Sequence, residues 1–530
     1  MFNSNENSCP ENERKDGCRK VCIIGAGMSG ILAFKYLLNT DVNLTVFEAK
    51  EGIGGVWRET FASTTLQTPR PAYQFTDFPW PSHVTDRLPT QSQVMDYLNS
   101  YAENFGLMDR IQFNSKVVGI RYIGEQSMEC SGLWSKNGGP YTEGRAWEVG
   151  VQKRNGGSIE WHHFDFVVMC IGRYGDVPNI PSFPPNKGPE LFEGKVLHTM
   201  DYSALNKTEA YELLRGKRVI VIGFQKSALD FAVECAEANQ GGGGKSCTMI
   251  FRTVHWTVPY DHKCWGVPLV YLYGTRFTQF LLDKPNRGFL LRSISHLFAP
   301  LRWAISKFVE FYLLWKFPLR KYGLVPGHSF LQEISSCQIA TLPEKLFSKA
   351  EEGLIQFRKA STWSFSRKGI IIDDITEVEA DVVVLGTGYA GEKKLKTLLP
   401  KNFSHVLEKP KGVIPLYRGL IHPKIPQMAI MGYPESLSNL HSSEIRSQWL
   451  AHFLSGKFVL PSIKDMEAYT DRQEKFMKRI TPFYWKTCHA TFQISDNDNL
   501  CEDMGWKPLR KQNWFQELFS PYSNLDYMQM

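Results

Sequence analysis

Apolar residues gather in short runs near the N-terminus, and a glycine-rich turn separates the first run from a helical stretch. The run VCIIG at residues 21–25 precedes the turn, the stretch ILAFKYLLN at 31–39 and a second run, LTVFE, at 44–48. Short apolar runs bounded by turn residues are typical of buried strands, and longer mixed stretches are typical of helices. The pattern therefore predicts a strand, a glycine turn, a helix and a second strand.

The same order of runs returns further along the chain. RVIVIG at 218–223 predicts a strand, FQKSA at 224–228 a turn, LDFAVECAEA at 229–238 a helix and CTMIFR at 247–252 the next strand. Two further apolar runs, FDFVVMCIG at 164–172 and ADVVVLGTGY at 380–389, bracket this second unit. The sequence predicts an α/β fold with two dinucleotide-binding, Rossmann-like domains, the second inserted into the first.

These patterns divide the chain into four parts. We expect a disordered tail at residues 1–17, the first part of one domain at 18–177, an inserted domain at 178–376 and the rest of the first domain, with a C-terminal extension, at 377–530. Four glycines at 241–244 mark a loop, and about 260–345 reads as a helical insertion. An amphipathic helix is expected after residue 439, and the last 60 residues read as irregular.

Charge and cysteine content exclude several classes of protein. The net charge of +7 is mild for 530 residues, no long run of like charge occurs, and no metal-ligand spacing is present, so neither nucleic acid nor a metal is an expected partner. The 11 cysteines are scattered without a C-x-x-C. This favours a reducing compartment, hence the cytoplasm, and argues against a dithiol redox enzyme.

The longest apolar stretch, residues 289–317, leaves one question about membranes open. Arg292, Arg302, Lys307 and Glu310 interrupt it, so it does not qualify as a transmembrane segment. Its aromatic and basic residues suit peripheral contact with a membrane surface, such as the cytosolic face of the endoplasmic reticulum. The alternative is an amphipathic helical insertion packed on the protein.

The first glycine turn carries a complete G-x-G-x-x-G pattern. Its residues are Gly25, Ala26, Gly27, Met28, Ser29 and Gly30. The first glycine permits a tight turn, the second lets a pyrophosphate approach the backbone, and the third allows close packing of helix and strand. Glu48, at the end of the next strand, can accept a hydrogen bond from a ribose 2′-hydroxyl and would repel a 2′-phosphate. The turn therefore favours FAD or NAD over NADP.

A second group of small residues follows Glu48. Gly55, Val56 and Trp57 end the sequence GIGGVW at 52–57. Glycine there lets the chain pass close to a flavin or its phosphates, although an ordinary glycine loop explains the sequence equally well.

The second turn departs from the glycine pattern. It comprises Gly223, Phe224, Gln225, Lys226, Ser227 and Ala228. Gln225 stands where a side chain would crowd a pyrophosphate, which leaves open a half-domain that binds nothing. Arg252 and Thr253 replace the acid at the end of the next strand, and an arginine there can pair with a 2′-phosphate. The turn therefore favours NADPH.

The segment FEGKVLHTMDY at 192–202 fits F-x-G-x-x-x-H-x-x-x-Y, the identifying sequence of flavin-containing monooxygenases. The chain resembles that family from about residue 20 to residue 462, also through GGVW at 54–57, LGTGY at 385–389 and LYRGLIHP at 416–423. Baeyer–Villiger enzymes are similar but carry Trp where this chain has Tyr202. LQTPRPAYQFTDFPWP at 66–81 and VIGFQKSALD at 221–230 look like the plant members linked to N-hydroxylation of pipecolate in plant defence.

The resemblance implies an activity and names two more site residues. Family members use NADPH to reduce FAD, and O2 then forms a C4a-hydroperoxyflavin that oxygenates a nucleophilic nitrogen or sulfur of a small amine or sulfide. Gln67 stands where many members place an asparagine beside the flavin. Gly388 lies in the apolar run at 380–389, the second of the two runs that bracket the second unit. Gln67 is therefore the candidate catalytic residue, with a surface-loop role as the alternative.

Three other functions remain to be weighed. A flavin-binding scaffold without turnover would explain Gln67 and Gln225, and an NADPH oxidase would release hydrogen peroxide. An NADPH-dependent disulfide reductase has a similar fold but needs a redox cysteine pair, which the scattered cysteines do not predict.

Overall fold

The structure is a computed structural model that describes residues 18–124, 134, 137–154, 156–240, 245–284, 288–407 and 413–528. The predicted tail at 1–17 and the glycine loop at 241–244 lie outside these residues.

Twenty strands lie within the described part of the chain. In chain order they are β1 Arg19–Ile24, β2 Val42–Phe47, β3 Ile111–Gln112, β4 Ser115–Ile123, β5 Ala146–Lys153, β6 Glu160–Phe164, β7 Phe166–Met169, β8 Lys195–His198, β9 Val219–Ile222, β10 Cys247–Phe251, β11 Thr257–Val258, β12 Lys263–Cys264, β13 Val267–Pro268, β14 Ala340–Thr341, β15 Ile355–Lys359, β16 Trp363–Phe365, β17 Gly369–Ile372, β18 Thr376–Glu379, β19 Val382–Leu385 and β20 Met428–Ile430.

Seventeen α-helices accompany these strands within the same residues. They are α1 Met28–Leu37, α2 Gln91–Asn104, α3 Thr199–Ser203, α4 Lys207–Leu214, α5 Lys226–Ala238, α6 Leu269–Tyr273, α7 Arg276–Phe280, α8 Phe289–Leu297, α9 Ala299–Lys316, α10 Phe330–Ile334, α11 Leu346–Glu351, α12 Gly391–Leu398, α13 Lys401–Ser404, α14 Asn439–Leu454, α15 Ile463–Ile480, α16 Gln493–Asp503 and α17 Trp514–Phe519. None of the helices in the described residues is long and apolar enough to cross a membrane.

Two five-stranded parallel sheets organise the molecule. The first has the order β20-β7-β1-β2-β3, and the second has the order β15-β10-β9-β19-β8. The central strands β1, β7, β9 and β19 are apolar along most or all of their length because helices or further sheets cover both faces. All strands of the second sheet lie in the chain between β7 and β20 of the first. The predicted α/β fold with an inserted second domain is confirmed.

The end of the inserted part differs from the predicted boundary at residue 376. Strand β19 pairs with β8 and β9, so residues 382–385 belong to the second sheet. The chain returns to the first sheet only after the glycine segment that follows β19. The apolar run at 380–389 is therefore one strand of the second sheet followed by a linker.

The helices near the C-terminus also differ from expectation. Helix α14 is buried on almost every side, not amphipathic, because it packs against α1 and α16. The last 60 residues, which read as irregular, contain part of α15 and all of α16 and α17. Polar residues misled the prediction: Glu444 and Arg446 are buried and find their partners inside the protein.

Candidate cofactor and active site

The first glycine turn forms the predicted close approach between strand and helix. Gly25 has φ +101°, and a Cβ on it would lie 2.6 Å from the carbonyl oxygen of Cys170. A Cβ on Gly30 would lie 1.9 Å from the carbonyl oxygen of Gly25. These two positions exclude every residue except glycine, because the atoms that a side chain would meet belong to the backbone.

The same turn leaves a cradle open at its second glycine. A Cβ on Gly55 would lie 3.1 Å from the Cα of Gly27, so the two glycines face each other with no side chain between them. Helix α1 starts just after Gly27 without a side-chain cap, and its first N–H groups are free to bind an anion. Gly25, Gly27, Met28, Ser29 and Gly55 all line the cavity. The residues present therefore fit a pyrophosphate.

Two backbone N–H groups fix the carboxylate of Glu48. The Ala26 N–H donates to one carboxylate oxygen at 2.6 Å, and the Lys50 N–H donates to the other at 2.8 Å. Glu48 is buried and lines the cavity, whereas Ala26 points into the core. The remaining lone pairs of this oriented carboxylate can accept from a ribose hydroxyl.

Val56 and Trp57 continue the wall of the cavity in a short 3-10 helix, Gly55–Trp57. The Trp57 indole N–H donates to the Tyr73 hydroxyl at 3.1 Å, and the Trp57 carbonyl accepts from the Gln91 side chain at 2.8 Å. These bonds hold the wall in place opposite helix α1.

The second turn places helix α5 at the same cavity. Gly223 has φ +139°, and a Cβ on it would lie 2.4 Å from the Gly386 carbonyl oxygen. Gln225 is the N-cap residue of α5 but makes no capping bond; instead its amide nitrogen lies 3.5 Å from the Gln338 side-chain oxygen. The side chain is thus held towards Gln338. Gln225, Lys226 and Ser227 line the cavity.

Other residues of the second unit do not line the cavity. Phe224 packs on Phe251, with ring centroids 4.7 Å apart, and Ala228 is fully buried beneath the turn. Arg252 and Thr253 follow β10, where Arg252 is exposed and outside the cavity wall.

Gln67 lines the same cavity as residues of the two turns, and residues of the inserted part hold its backbone. Its carbonyl oxygen accepts from His262 Nε2 at 2.9 Å and from the Thr341 hydroxyl at 3.0 Å. Its side chain is exposed to the cavity and has no hydrogen bond to other described residues. The other ring nitrogen of His262, Nδ1, lies 3.0 Å from the Tyr260 carbonyl oxygen, and burial lowers the pKa of the ring. Sequence reasoning missed both His262 and Thr341, which are distant from Gln67 in the chain.

His198, the histidine of the identifying segment at 192–202, holds the linker that follows β19. The Met200 N–H donates to His198 Nδ1 at 3.1 Å, so the ring proton resides on Nε2 and is donated to the Gly388 carbonyl at 3.0 Å. Gly388 has φ +79° and lines the cavity with Tyr389. Burial lowers the pKa of His198 and keeps the ring neutral. The segment positions the linker and supplies no reacting group.

The first glycine turn, the start of helix α5, Gln67 and Gly388 all line one continuous cavity of about 1,940 Å³. Pockets for one drug-sized ligand span about 300–1,000 Å³, so this space can take more than one such molecule. Arg87 also lines it, and its Nε atom is buried with no hydrogen-bond partner among the described residues. His441 and Asn497 lie on another part of the wall.

Two of the scattered cysteines are paired in the structure. The scattered cysteines gave no sign of a redox pair, yet Cys337 and Cys488 form a disulfide. They lie 151 residues apart, and folding alone brings them together. Cys337 lines the cavity.

Residues 18–516 match the family described as flavin-binding monooxygenase-like, so the chain belongs to that family. It is similar to the probable flavin-containing monooxygenase 1 of Arabidopsis thaliana, with 49% identity over 96% of this chain and 96% of that protein. Two solved structures share the fold. The steroid monooxygenase bound to NADP has 17% identity and TM-score 0.62 over 92% of this chain and 98% of its own. The S-allyl-L-cysteine S-oxygenase of Allium sativum has 19% identity and TM-score 0.57 over 92% and 89%.

The protein is therefore an NADPH-dependent flavin monooxygenase with FAD and NADPH as cofactors. Its chemistry uses O2 and a small-molecule substrate. The oxygen-activating chemistry belongs to the bound FAD, and the chain supplies binding, orientation and exclusion of water.

Proposed function

We propose that the protein oxygenates a nucleophilic nitrogen or sulfur of a small molecule, with FAD at the Gly25 turn and NADPH at the Gly223 turn. The observation that carries this proposal is the single cavity lined by both turns and by the side chain of Gln67. Glu48 suits FAD because it disfavours a 2′-phosphate, and the exposed Arg252 suits NADPH because it can pair with one. The proposal assigns no catalytic acid or base, because the cofactor activates oxygen in this reaction.

Gln67 is the residue that we propose to act beside the flavin. Hydrogen bonds from His262 and Thr341 hold its backbone, so its side-chain amide extends from a fixed position. An amide there can donate a hydrogen bond towards the flavin edge where oxygen reacts. We expect Gln67→Leu to raise the hydrogen peroxide released per NADPH consumed several-fold, and Gln67→Asn to stay near wild type. Equal peroxide yields in all three proteins would contradict this role.

For the substrate we propose a small amine that carries a carboxylate, such as the cyclic amino acid pipecolate, in plant defence. Arg87 supports this choice because the residue lines the cavity and the Nε atom of its guanidinium is buried with no partner among the residues described. A planar guanidinium binds a carboxylate through two parallel hydrogen bonds. The garlic protein of similar fold is named for S-oxygenation of S-allyl-L-cysteine, also an amino acid.

The test compares an acid with its neutral analogue. The purified yellow holoenzyme is supplied with NADPH, O2 and either pipecolate or piperidine, and N-oxygenated product is measured by mass spectrometry. We expect Arg87→Ala to lower kcat/KM for pipecolate at least tenfold and to leave the rate with piperidine little changed. Product from neither amine, with NADPH converted only into hydrogen peroxide, would favour an NADPH oxidase. Flavin retention without NADPH consumption would favour a scaffold.

A second proposal concerns location: the protein rests on a membrane surface, at the cytosolic face of the endoplasmic reticulum. Helices α8 and α9 expose large apolar side chains, with Phe289 87%, Trp303 64%, Phe311 65% and Trp315 65% accessible. The two helices carry four basic residues and one acidic residue. Exposed aromatic residues with basic neighbours suit an anionic lipid surface.

Vesicle sedimentation tests this second proposal. We expect the protein to sediment with phosphatidylserine-containing vesicles and the double variant Trp303→Ser/Trp315→Ser to remain mostly in solution. Ile375→Ser is the matched control, because Ile375 is 87% exposed on a hairpin of another sheet. Loss of binding in the control, or unchanged binding in the double variant, would contradict the proposed surface.

A further inference from the structure

A disulfide joins two parts of the molecule that meet at the cavity. Cys337 lies between α10 and β14 in the inserted part, and Cys488 lies between α15 and α16 in the last part of the chain. Their Cα atoms are 5.5 Å apart. The bond therefore connects the part that carries the Gly223 turn to the part that follows the last strand of the first sheet.

On the Cys337 side, the bonded segment contacts both candidate cofactor regions. Gln338, the next residue, lies 3.5 Å from the side chain of Gln225 at the start of α5. Thr341 donates to the carbonyl of Gln67 at 3.0 Å. Cys337, Gln338 and Thr341 all line the cavity. A change in how well this segment is ordered therefore alters the cavity wall directly.

On the Cys488 side, the neighbouring residues are anchored to the first domain. Arg173, which follows β7, donates to the Lys486 carbonyl at 2.6 Å and to the Thr487 hydroxyl at 3.0 Å. The His489 N–H donates to the Glu435 carbonyl at 2.7 Å. Hydrogen bonds thus hold the residues around Cys488 in place, and the disulfide restrains the segment at 337–341 against them.

The two sulfur atoms differ in access. Cys337 is half-buried and lines the cavity, whereas Cys488 is fully buried. A small oxidant or a thiol that enters the cavity therefore meets Cys337 first. An accessible cysteine next to a buried resolving cysteine is the arrangement of reversible thiol sensors.

We propose that Cys337 and Cys488 form a redox modification site that sets how tightly the cavity holds the nicotinamide nucleotide. The inference rests on the proposed placement of NADPH at the Gly223 turn. With the disulfide closed, the segment at 337–341 is ordered before the nucleotide arrives. With the disulfide open, nucleotide binding must also order that segment, and this entropic cost weakens binding.

Hydrogen peroxide closes the pair in two steps. The Cys337 thiolate attacks the peroxide, the O–O bond breaks, and a sulfenic acid and water result after proton transfer. The Cys488 thiol then attacks that sulfur, an S–S bond replaces the S–O bond, and a second water leaves. A small dithiol reverses the change: it gives two electrons and two protons to the pair and becomes a disulfide itself.

The experiment measures NADP⁺ affinity of the FAD-loaded full-length protein in three states: as purified, reduced with dithiothreitol and desalted, and reoxidised with hydrogen peroxide. A non-reducing digest establishes the Cys337–Cys488 cross-link in each state by mass spectrometry. We expect reduction to raise the Kd for NADP⁺ about fivefold or more, reoxidation to restore it, and flavin content to stay constant. Titration calorimetry supplies the Kd without reference to turnover.

Variants make the assignment specific. We expect Cys337→Ser and Cys488→Ser each to bind NADP⁺ as the reduced wild type does. Peroxide treatment should not change the Kd for NADP⁺ of either variant. Cys501→Ser, at a buried free cysteine in α16, is the matched control and should respond as wild type does. Chemical reduction of the wild type covers the case in which the buried Cys488 variant fails to fold.

Three results would overturn the proposal. Equal NADP⁺ affinity in the oxidised and reduced states would refute the redox inference and leave the proposed cofactor placement intact. No NADP⁺ binding in any state would refute the placement and the inference with it. Absence of the cross-linked peptide after peroxide treatment would refute the redox inference alone.

Discussion

At the scale of single residues, the glycines of the first turn divide into two kinds. Gly25 and Gly30 face backbone atoms at distances that no side chain tolerates, so they secure packing. Gly27 has only the Cα of Gly55 within 3.4 Å of a built Cβ, so the space that its missing side chain leaves open is the one that we propose for the pyrophosphate. A substitution at Gly27 therefore tests cofactor approach with little damage to the fold.

We expect Gly27→Leu to purify without yellow flavin while it stays folded, because a leucine side chain fills the cradle opposite Gly55. The ratio of flavin absorbance to protein absorbance and the far-ultraviolet circular dichroism measure the two properties. Gly157→Leu is the control, since Gly157 is exposed and nothing lies within 4 Å of a built Cβ. A Gly27→Leu protein with normal flavin content would show that no pyrophosphate lies there.

We propose that the choice between NADPH and NADH depends on Arg252. A hydrogen bond to a charged group contributes about 1.5–3 kcal/mol, so we expect Arg252→Ala to raise KM for NADPH about tenfold or more. KM for NADH should change little, because NADH lacks the 2′-phosphate. Arg320→Ala, an exposed arginine after α9, is the control. Equal changes with both nucleotides would contradict the assignment.

At the scale of elements, helix α14 shows where sequence patterns fail. Its polar residues suggested a helix half in water, but His441, Glu444 and Arg446 are all buried. Each is accommodated by residues distant in the chain, such as Thr76 for Glu444 and Asp496 for Arg446. The glycine turns, by contrast, were predictable because the backbone geometry that they require is local. The hydrogen bonds that hold the backbone of Gln67 and the disulfide were not predictable, because tertiary folding creates them.

The same helix yields a prediction about pH. Burial, together with the charge of the neighbouring Arg446, lowers the pKa of His441 from 6.5 to about 4. Above pH 6.5 the ring is neutral in both states. As the pH falls, the unfolded chain gains a proton that the folded chain resists. Wild type should therefore lose about 2 kcal/mol more unfolding free energy than His441→Asn between pH 7 and pH 5.

Urea unfolding at both pH values measures this difference. The comparison with the variant is necessary because Glu444, on the same helix, acts in the opposite direction. Burial raises the pKa of Glu444 from 4.5 to about 7, so its contribution to stability is lost as the pH rises. Since both proteins retain Glu444, its effect cancels. Parallel pH profiles for wild type and His441→Asn would contradict a buried neutral imidazole.

At the scale of the whole molecule, two parallel sheets place two helix N-termini at one cavity. Helix α1 follows β1 and helix α5 follows β9, and both begin without a side-chain cap. The linkers between the sheets pass through the same space, with Gly388 held by His198. If each sheet carries its own site, as we propose, a defect at one turn should leave the other turn able to bind.

This independence gives a prediction for Ser227, which lines the cavity at the start of α5. We expect Ser227→Glu to keep its yellow flavin but to lose stabilisation by NADP⁺, because a carboxylate beside the helix N-terminus competes with and repels the nucleotide phosphates. NADP⁺ at 100 times its Kd should raise the unfolding free energy of wild type by about 2.7 kcal/mol. Ser348→Glu, on an exposed face of α11, should keep that gain. Loss of flavin together with NADP⁺ stabilisation in Ser227→Glu would show that the two sites form one cooperative unit.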